Sequence, residues 1–268
     1  MKTLKITLAL LASISILSCS SDNEETTEDL TGETGELTLK FDHGVNGDSF
    51  AFNTEYSKSG EETYTIENLK YIISNITLTK NDGTTFEYPT EDNVFIIDQS
   101  DANNAGEVWL TLTGIDAADY TDISFGVGID QERFALGAEG QGDFLATAEE
   151  EGMFWVWASG YKFIRIDGTF GPTATETDSN ALNIHMGSLG ASLDNYRTVD
   201  LSLPNTIFVR ENETSEIHIE ADIAMVFDGA TSVMFAEGYD QVHTEEVETG
   251  IIADNISGMF SVHHVHNQ

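Results

Sequence analysis

Ile217, Ile219, Ala221, Ile223 and Met225 fall on every second residue, with His218, Glu220 and Asp222 between them. An extended chain turns successive side chains to opposite faces, so this spacing predicts a strand with one dry face and one wet face. His218 is read with the acids on the wet face, as a surface residue. The same beat recurs at Leu37, Leu39 and Phe41, at Ile123, Phe125, Val127 and Ile129, at Leu182, Ile184 and Met186, and at Val199, Leu201 and Leu203. Residues 63–80 are apolar on alternate positions until the beat shifts near Asn68, which predicts two strands or one bulged strand. Asn81-Asp82-Gly83 is a hairpin turn signal. Shorter strands are expected at 86–88, 94–97 and 108–112, with Trp109 in the core. Gly126 and Gly128 lie opposite the Ile123 set and predict close packing on their face. With 23 Gly and only 3 Pro, the chain leans to strands and turns. Helix-like spacing appears late, at 233–238 and 246–259, and predicts one or two short helices. Residues 131–151, rich in Gly and acid, are expected to form a long loop.

Charge narrows the function classes. The formal net charge is −36 and the isoelectric point about 4.1, so phosphate backbones and anionic lipid surfaces are repelled. No nucleic acid is expected as a partner. Lys2 and Lys5 precede an apolar run over 6–17, of signal-peptide length and too short to span a bilayer. The run ends Ile16-Leu17-Ser18-Cys19, which resembles a bacterial lipobox. Residues 1–18 are then a lipoprotein signal peptide, and Cys19 is the residue acylated. It is the only cysteine, so an internal disulfide is excluded. Residues 19–36 are polar and acidic, without apolar periodicity, and predict a flexible tether. Residues 37–268 form the folded domain. The expected location is the cell envelope, with membrane contact through the lipid anchor alone.

No phosphate-binding loop, dinucleotide fingerprint, nucleophile elbow or zinc-protease helix is present, and no enzyme activity is expected. What remains is a set of metal-binding residue types: seven His, six Met and an aromatic cluster. His43 extends the inward parity of Leu37, Leu39 and Phe41, as a core residue or a ligand. His185 follows Ile184, and Met186, facing the other way, is a core residue. His264 and His266 share one face of an extended segment, which suits chelation of one ion as well as it suits a disordered tail. Residues 152–168 hold the closely spaced pair Trp155 and Trp157. Such a stretch is either core or the wall of a site.

Met153-Phe154-Trp155-Val156-Trp157-Ala158-Ser159-Gly160-Tyr161-Lys162-Phe163, then Asp167-Gly168, then Ile184-His185-Met186-Gly187, resembles the MbnP-like copper-binding domain family. Tyr71-Ile72-Ile73-Ser74-Asn75-Ile76, Gly126-Val127-Gly128-Ile129-Asp130 and Leu39-Lys40-Phe41-Asp42-His43 resemble further segments of that family, in the same order. The resemblance implies an all-β fold, an antiparallel two-sheet β-sandwich with long loops and one or two short C-terminal helices. It implies a copper scavenger or carrier outside the cytoplasm, with a di-haem peroxidase-like partner. Relatives hold copper through two His and a kynurenine made from Trp. By position the implied ligands are His43 and His185, with His243 and one of His263, His264 and His266 completing the set. Trp155 and Trp157 are the candidates for oxidation or for a wall that excludes water. Neither has a His near it in sequence, which departs from the family pattern. The alternative is a metal-free surface scaffold, or an adhesion or ligand-binding lipoprotein.

Overall fold

The computed structural model describes residues 29–91, 93–171 and 180–267. The signal peptide and Cys19 lie outside the described residues, as does most of the tether. The described elements fall within one unit, Thr31–Gln268. Its strands are β1 (Thr34–Val45), β2 (Asp48–Ser49), β3 (Tyr56–Ser57), β4 (Thr63–Lys80), β5 (Thr85–Glu87), β6 (Val94–Asp98) and β7 (Glu107–Asp116). They continue with β8 (Ala118–Val127), β9 (Ile164–Gly171), β10 (Asn180–Met186), β11 (Arg197–Val209), β12 (Thr214–Asp222), β13 (Gln241–Val242) and β14 (Phe260–His266). Four short helices interrupt them: α1 (Gln131–Ala135), α2 (Phe144–Glu150), α3 (Met225–Asp228) and α4 (Glu246–Ser257). No described helix is long and apolar enough to cross a membrane.

The strands form two sheets, as a sandwich requires. One runs β14-β12-β1-β2, with β7 also paired to β1. The other runs β11-β8-β4-β9-β10-β13, with β3, β5 and β6 also on β4. The alternating residues do what their spacing predicts. Leu37, Leu39 and Phe41 of β1 and Ile217, Ile219 and Ala221 of β12 are fully buried between the sheets. Phe41 meets Tyr71 and Phe125 of the facing sheet edge-on, at 6.2 and 6.4 Å between ring centres. Phe260 does the same at 5.7 and 5.1 Å.

The sheets are mixed rather than purely antiparallel: β1 runs parallel to β12, and β10 to β13. Alternation is identical in both directions, so the pattern carries no sign of this. The parallel pairs join segments far apart in the chain, as a crossover connection demands. Residues 131–151 hold α1 and α2 instead of one long loop, each too short to show a helical period. The Asp130 carboxylate accepts from the Arg133 N–H at 2.7 Å and caps α1. Trp109 is exposed, since it has the opposite parity to the buried Val108 and Leu112. The Lys40 ammonium lies 4.3 Å from its ring centre. Of the two late helical segments, 246–259 yields α4, while 233–238 contains only a single 3₁₀ turn.

Three local expectations are met. β4 is one long strand, and its register against β9 slips between Ile66 and Asn68, where the beat shifts. Met186 is fully buried. Rings do crowd the two glycines: Tyr196 lies against Gly126, and Phe163 against Gly128. Asp167-Gly168, which reads as a turn, is instead inside β9. There Gly168 lies against the Thr65 carbonyl of β4, at the point where β4 bulges.

His43 is a core residue. It is 2% exposed, with Nε2 bonded to the Tyr71 hydroxyl at 2.9 Å. Its Nδ1 has no hydrogen-bond partner among the described residues. Burial, only partly offset by Gln99, pushes its pKa down to about 4.

Two consequences are measurable. Gly168→Ala sets a Cβ against the Thr65 carbonyl, and is expected to cost about 1–3 kcal/mol in urea unfolding, as overpacking does. His43 is neutral in the folded chain and titrates near 6.5 when unfolded, so the unfolded state takes up its proton first. Its contribution to stability is intact above pH 6.5 and is lost as pH falls toward 4, by on the order of 3 kcal/mol. His43→Leu lacks this term, so unfolding curves at pH 7 and pH 4.5 should show the variant losing less stability on acidification than the parent.

Candidate metal centre

Parallel pairing of β13 with β10 sets Val242 opposite Ile184. The next residue on each side is a histidine, and the rings of His185 and His243 meet edge to face, 5.3 Å apart at 88°. On the other side of β10, β9 brings up Arg165 and Asp167. His185 Nε2 bonds to Asp167 Oδ1 at 2.6 Å, while Arg165 Nε donates to Oδ2 at 2.7 Å. Burial opposes charge on Asp167, but the bonds from His185 and Arg165 outweigh it and hold the carboxyl below its usual range. Burial lowers the His243 pKa, and the charges of His185 and Lys162 lower it further. Both effects favour the neutral form of His243, and a neutral imidazole carries one nitrogen lone pair for a metal.

Residues 152–163 of the aromatic stretch form a tight loop that leads into β9. Phe154 and Tyr161 pair across its base. The Trp155 N–H donates to the Gly160 carbonyl at 3.1 Å, and the Gly160 N–H to the Val156 carbonyl at 2.8 Å. Gly160 has φ +79°, the left-handed region that closes this reversal. The loop points its two indoles to different places. Trp157 stacks on Phe134 of α1, with ring centres 4.9 Å apart at 9°. Trp155 packs beside Gly187, immediately after β10, and lies 5.8 Å from the Lys162 ammonium. Lys162 in turn donates to the Gly152 carbonyl at 2.6 Å. Its pKa is lowered by burial first and then by Arg165. Trp155 thus shares a neighbourhood with His185 and His243, and Trp157 belongs to the packing of α1.

The sequence-predicted ligands fall in three places. His43 is engaged with Tyr71 inside the sandwich and shares no hydrogen bond or ring contact with His185. His185 and His243 form the pair beside Trp155. His264 and His266 sit on β14, where they join His218 of β12; one ligand atom from each of these three lies within 4.8 Å of the others. His218 is half-buried and belongs to this cluster rather than standing as an isolated surface residue. Nothing in the sequence marks it, because its membership depends on β12 being the strand that β14 chooses.

The family model MbnP matches residues 34–245 of the chain. Among solved structures, MbnP from Methylosinus trichosporium is similar at 15% identity, with a TM-score of 0.47 over 75% of this chain and 80% of that one. No curated protein sequence matches. The matched span runs from the first strand through both members of the His185–His243 pair, and the chain belongs to the MbnP family.

Proposed function

We propose that this protein is an extracytoplasmic copper-binding lipoprotein, a scavenger or carrier rather than an enzyme, in which His185 and His243 hold the ion. The observation that carries this reading is the approach of two imidazoles, brought together by β10 and β13, with the Trp155 indole packed at Gly187 two residues beyond His185. The donor chemistry fits. Imidazole suits both Cu(I) and Cu(II), and copper heads the affinity order of divalent first-row ions at nitrogen sites. Asp167 bonds one His185 nitrogen and so fixes the ring, as carboxylates do behind metal-bound histidines. Lys162 and Arg165 lie close by, but Arg165 is paired with Asp167 and Glu245 stands beside His243, so the nearby charges balance. In this reading Trp155 is the better candidate of the two indoles for oxidation by a di-haem peroxidase-like partner, since Trp157 is stacked on Phe134. The lipid anchor at Cys19 and a location in the cell envelope belong to the same reading.

A metal-free scaffold is the second reading, and one observation favours it: the bond to Asp167 satisfies His185 without an ion. Metal analysis separates the two. Protein purified without a nickel resin and loaded with Cu(I) is expected to retain the ion. His185→Ala with His243→Ala should weaken that retention by more than about tenfold, the loss seen even when only an outer partner of a metal ligand is removed. Unchanged Cu(I) affinity in the double variant overturns the reading. Mass spectrometry of the mature chain checks the anchor as a diacylglyceryl group on Cys19. It also checks Trp155, whose conversion to kynurenine adds roughly four mass units.

A further inference from the structure

We propose a second, separate metal site on the solvent face of the β14-β12-β1 sheet, in which His218, His264 and His266 bind a divalent first-row transition ion, Cu(II) or Zn(II). Two of its three ligands lie outside the matched family span, since β14 begins at Phe260; His218 lies within it. The proposal does not depend on the His185–His243 reading.

The site follows from strand register. Ile217 and Ile219 of β12 point into the core, so His218 points out. β14 runs antiparallel to β12 and sets His264 opposite His218 and His266 opposite Glu216. Residues two apart on a strand share a face, which places both histidines on the same outer side. The register then slips: Ile219 pairs with Val262, leaving His263 as an inserted residue. A bulge re-aims its side chain, and His263 Nδ1 comes to 2.6 Å from His264 Nδ1. A fourth imidazole therefore stands at the rim.

The rings are arranged for capture. His218 and His264 stack at 4.0 Å and 23°, and His266 stands across them at 78° and 85°. His264 Nε2 and His266 Nε2 are 3.0 Å apart. Metal–nitrogen bonds of about 2.0–2.1 Å in a tetrahedral site put donor atoms roughly 3.3 Å from each other. The triad, all within 4.8 Å, reaches this by small ring rotations. His218 Nε2 supplies the second pointer to a ligand: it is buried and has no hydrogen-bond partner among the described residues. Such an orphan costs free energy unless something completes it.

The surroundings favour a doubly charged ion. Glu107 Oε1 lies 3.7 Å from His218 Nδ1, within a short movement of accepting its N–H once Nε2 is ligated. Glu107 is itself held by Trp109 Nε1 at 2.9 Å and Asn103 Nδ2 at 3.1 Å. Glu216 stands 3.9 Å from His218 Nε2. The one nearby ammonium, Lys40, is bonded to Glu216 at 2.6 Å, which offsets its charge. Asp42 and Glu220 occupy the next row of the same face.

The test uses the mature chain, titrated separately with Zn(II) and Cu(II) against a chromophoric chelator. A tightly held equivalent is expected in the parent and in the His185→Ala, His243→Ala variant. It should weaken by more than about tenfold in His264→Gln with His266→Gln. Both changed residues lie on the outer face of one strand, and circular dichroism checks the fold. Should that variant fail to fold, electron paramagnetic resonance of the Cu(II)-loaded His185→Ala, His243→Ala protein reads the donors directly, with hyperfine structure from three nitrogens expected. Retained affinity in His264→Gln, His266→Gln, or a spectrum with no nitrogen donor, overturns the second site and leaves the first untouched. Loss of Cu(I) from His185→Ala, His243→Ala concerns the first site alone.

Discussion

Four rings hold the two sheets in register: Phe41 and Phe260 from one, Tyr71 and Phe125 from the other, all meeting edge to face. Edge-to-face contacts fix orientation as well as distance, which pure apolar burial does not. Phe260 matters most for what lies outside the core. Seating it inward fixes the phase of β14 as far as Val262, and the bulge at His263 then shifts the beat by one, so that His264 and His266 face water. A slip of one residue would turn both toward the core and bring Val265 out. Tyr71 has a similar hold on His43, whose Nε2 it binds. The aromatic centre thus determines which histidines are exposed for chemistry and which one is committed to the interior.

Much of the fold was legible because period-two alternation reports burial directly. β1, β4, β8, β10 and β12 all appear where their apolar residues alternate, and even the bulge of β4 shows as a change of beat near Asn68. Strand direction and neighbour choice were not legible. Both are set by long-range pairing, and the residues of β1 would look the same beside an antiparallel partner. The Asp-Gly pair at 167–168 misleads for a related reason. Glycine serves turns and close approaches alike, and here the approach of the Thr65 carbonyl decides. Trp109 misleads because aromatic character outweighed parity in its placement, while Lys40 offers the ring a partner at the surface.

The site was legible in part. His185, His243 and Trp155 were each named from sequence, and the topology brings them into one neighbourhood. Parallel pairing of β13 with β10 does the final positioning, and no local pattern encodes it. His43 was expected with them because the resemblance implies a ligand there, while its inward parity by itself suits a core residue equally. Its depressed pKa and its bond to Tyr71 are what burial imposes on such a residue. His218 was missed because a lone histidine among acids on a wet face looks like surface.

The two proposed sites differ in a way that follows from charge. In a chain with 47 acidic and 11 basic side chains, most surfaces favour cations without discrimination. At the His185–His243 pair, Lys162 and Arg165 are matched by Asp167 and Glu245, so nearby charge adds little for an ion of either valence. The triad keeps a negative surplus, with Glu107 and Glu216 within 4 Å of His218 and the Lys40 ammonium cancelling one of them. Imidazole donors alone cannot separate Cu(I) from Cu(II) or Zn(II), because they suit all three. The local charge can. An ion of charge +2 gains about twice the Coulomb energy of one of charge +1 beside the same carboxylates, and loses about twice as much beside the same cations. One sandwich thereby presents nitrogen ligands in two electrostatic environments, one close to balanced and one with a negative surplus that favours a divalent ion.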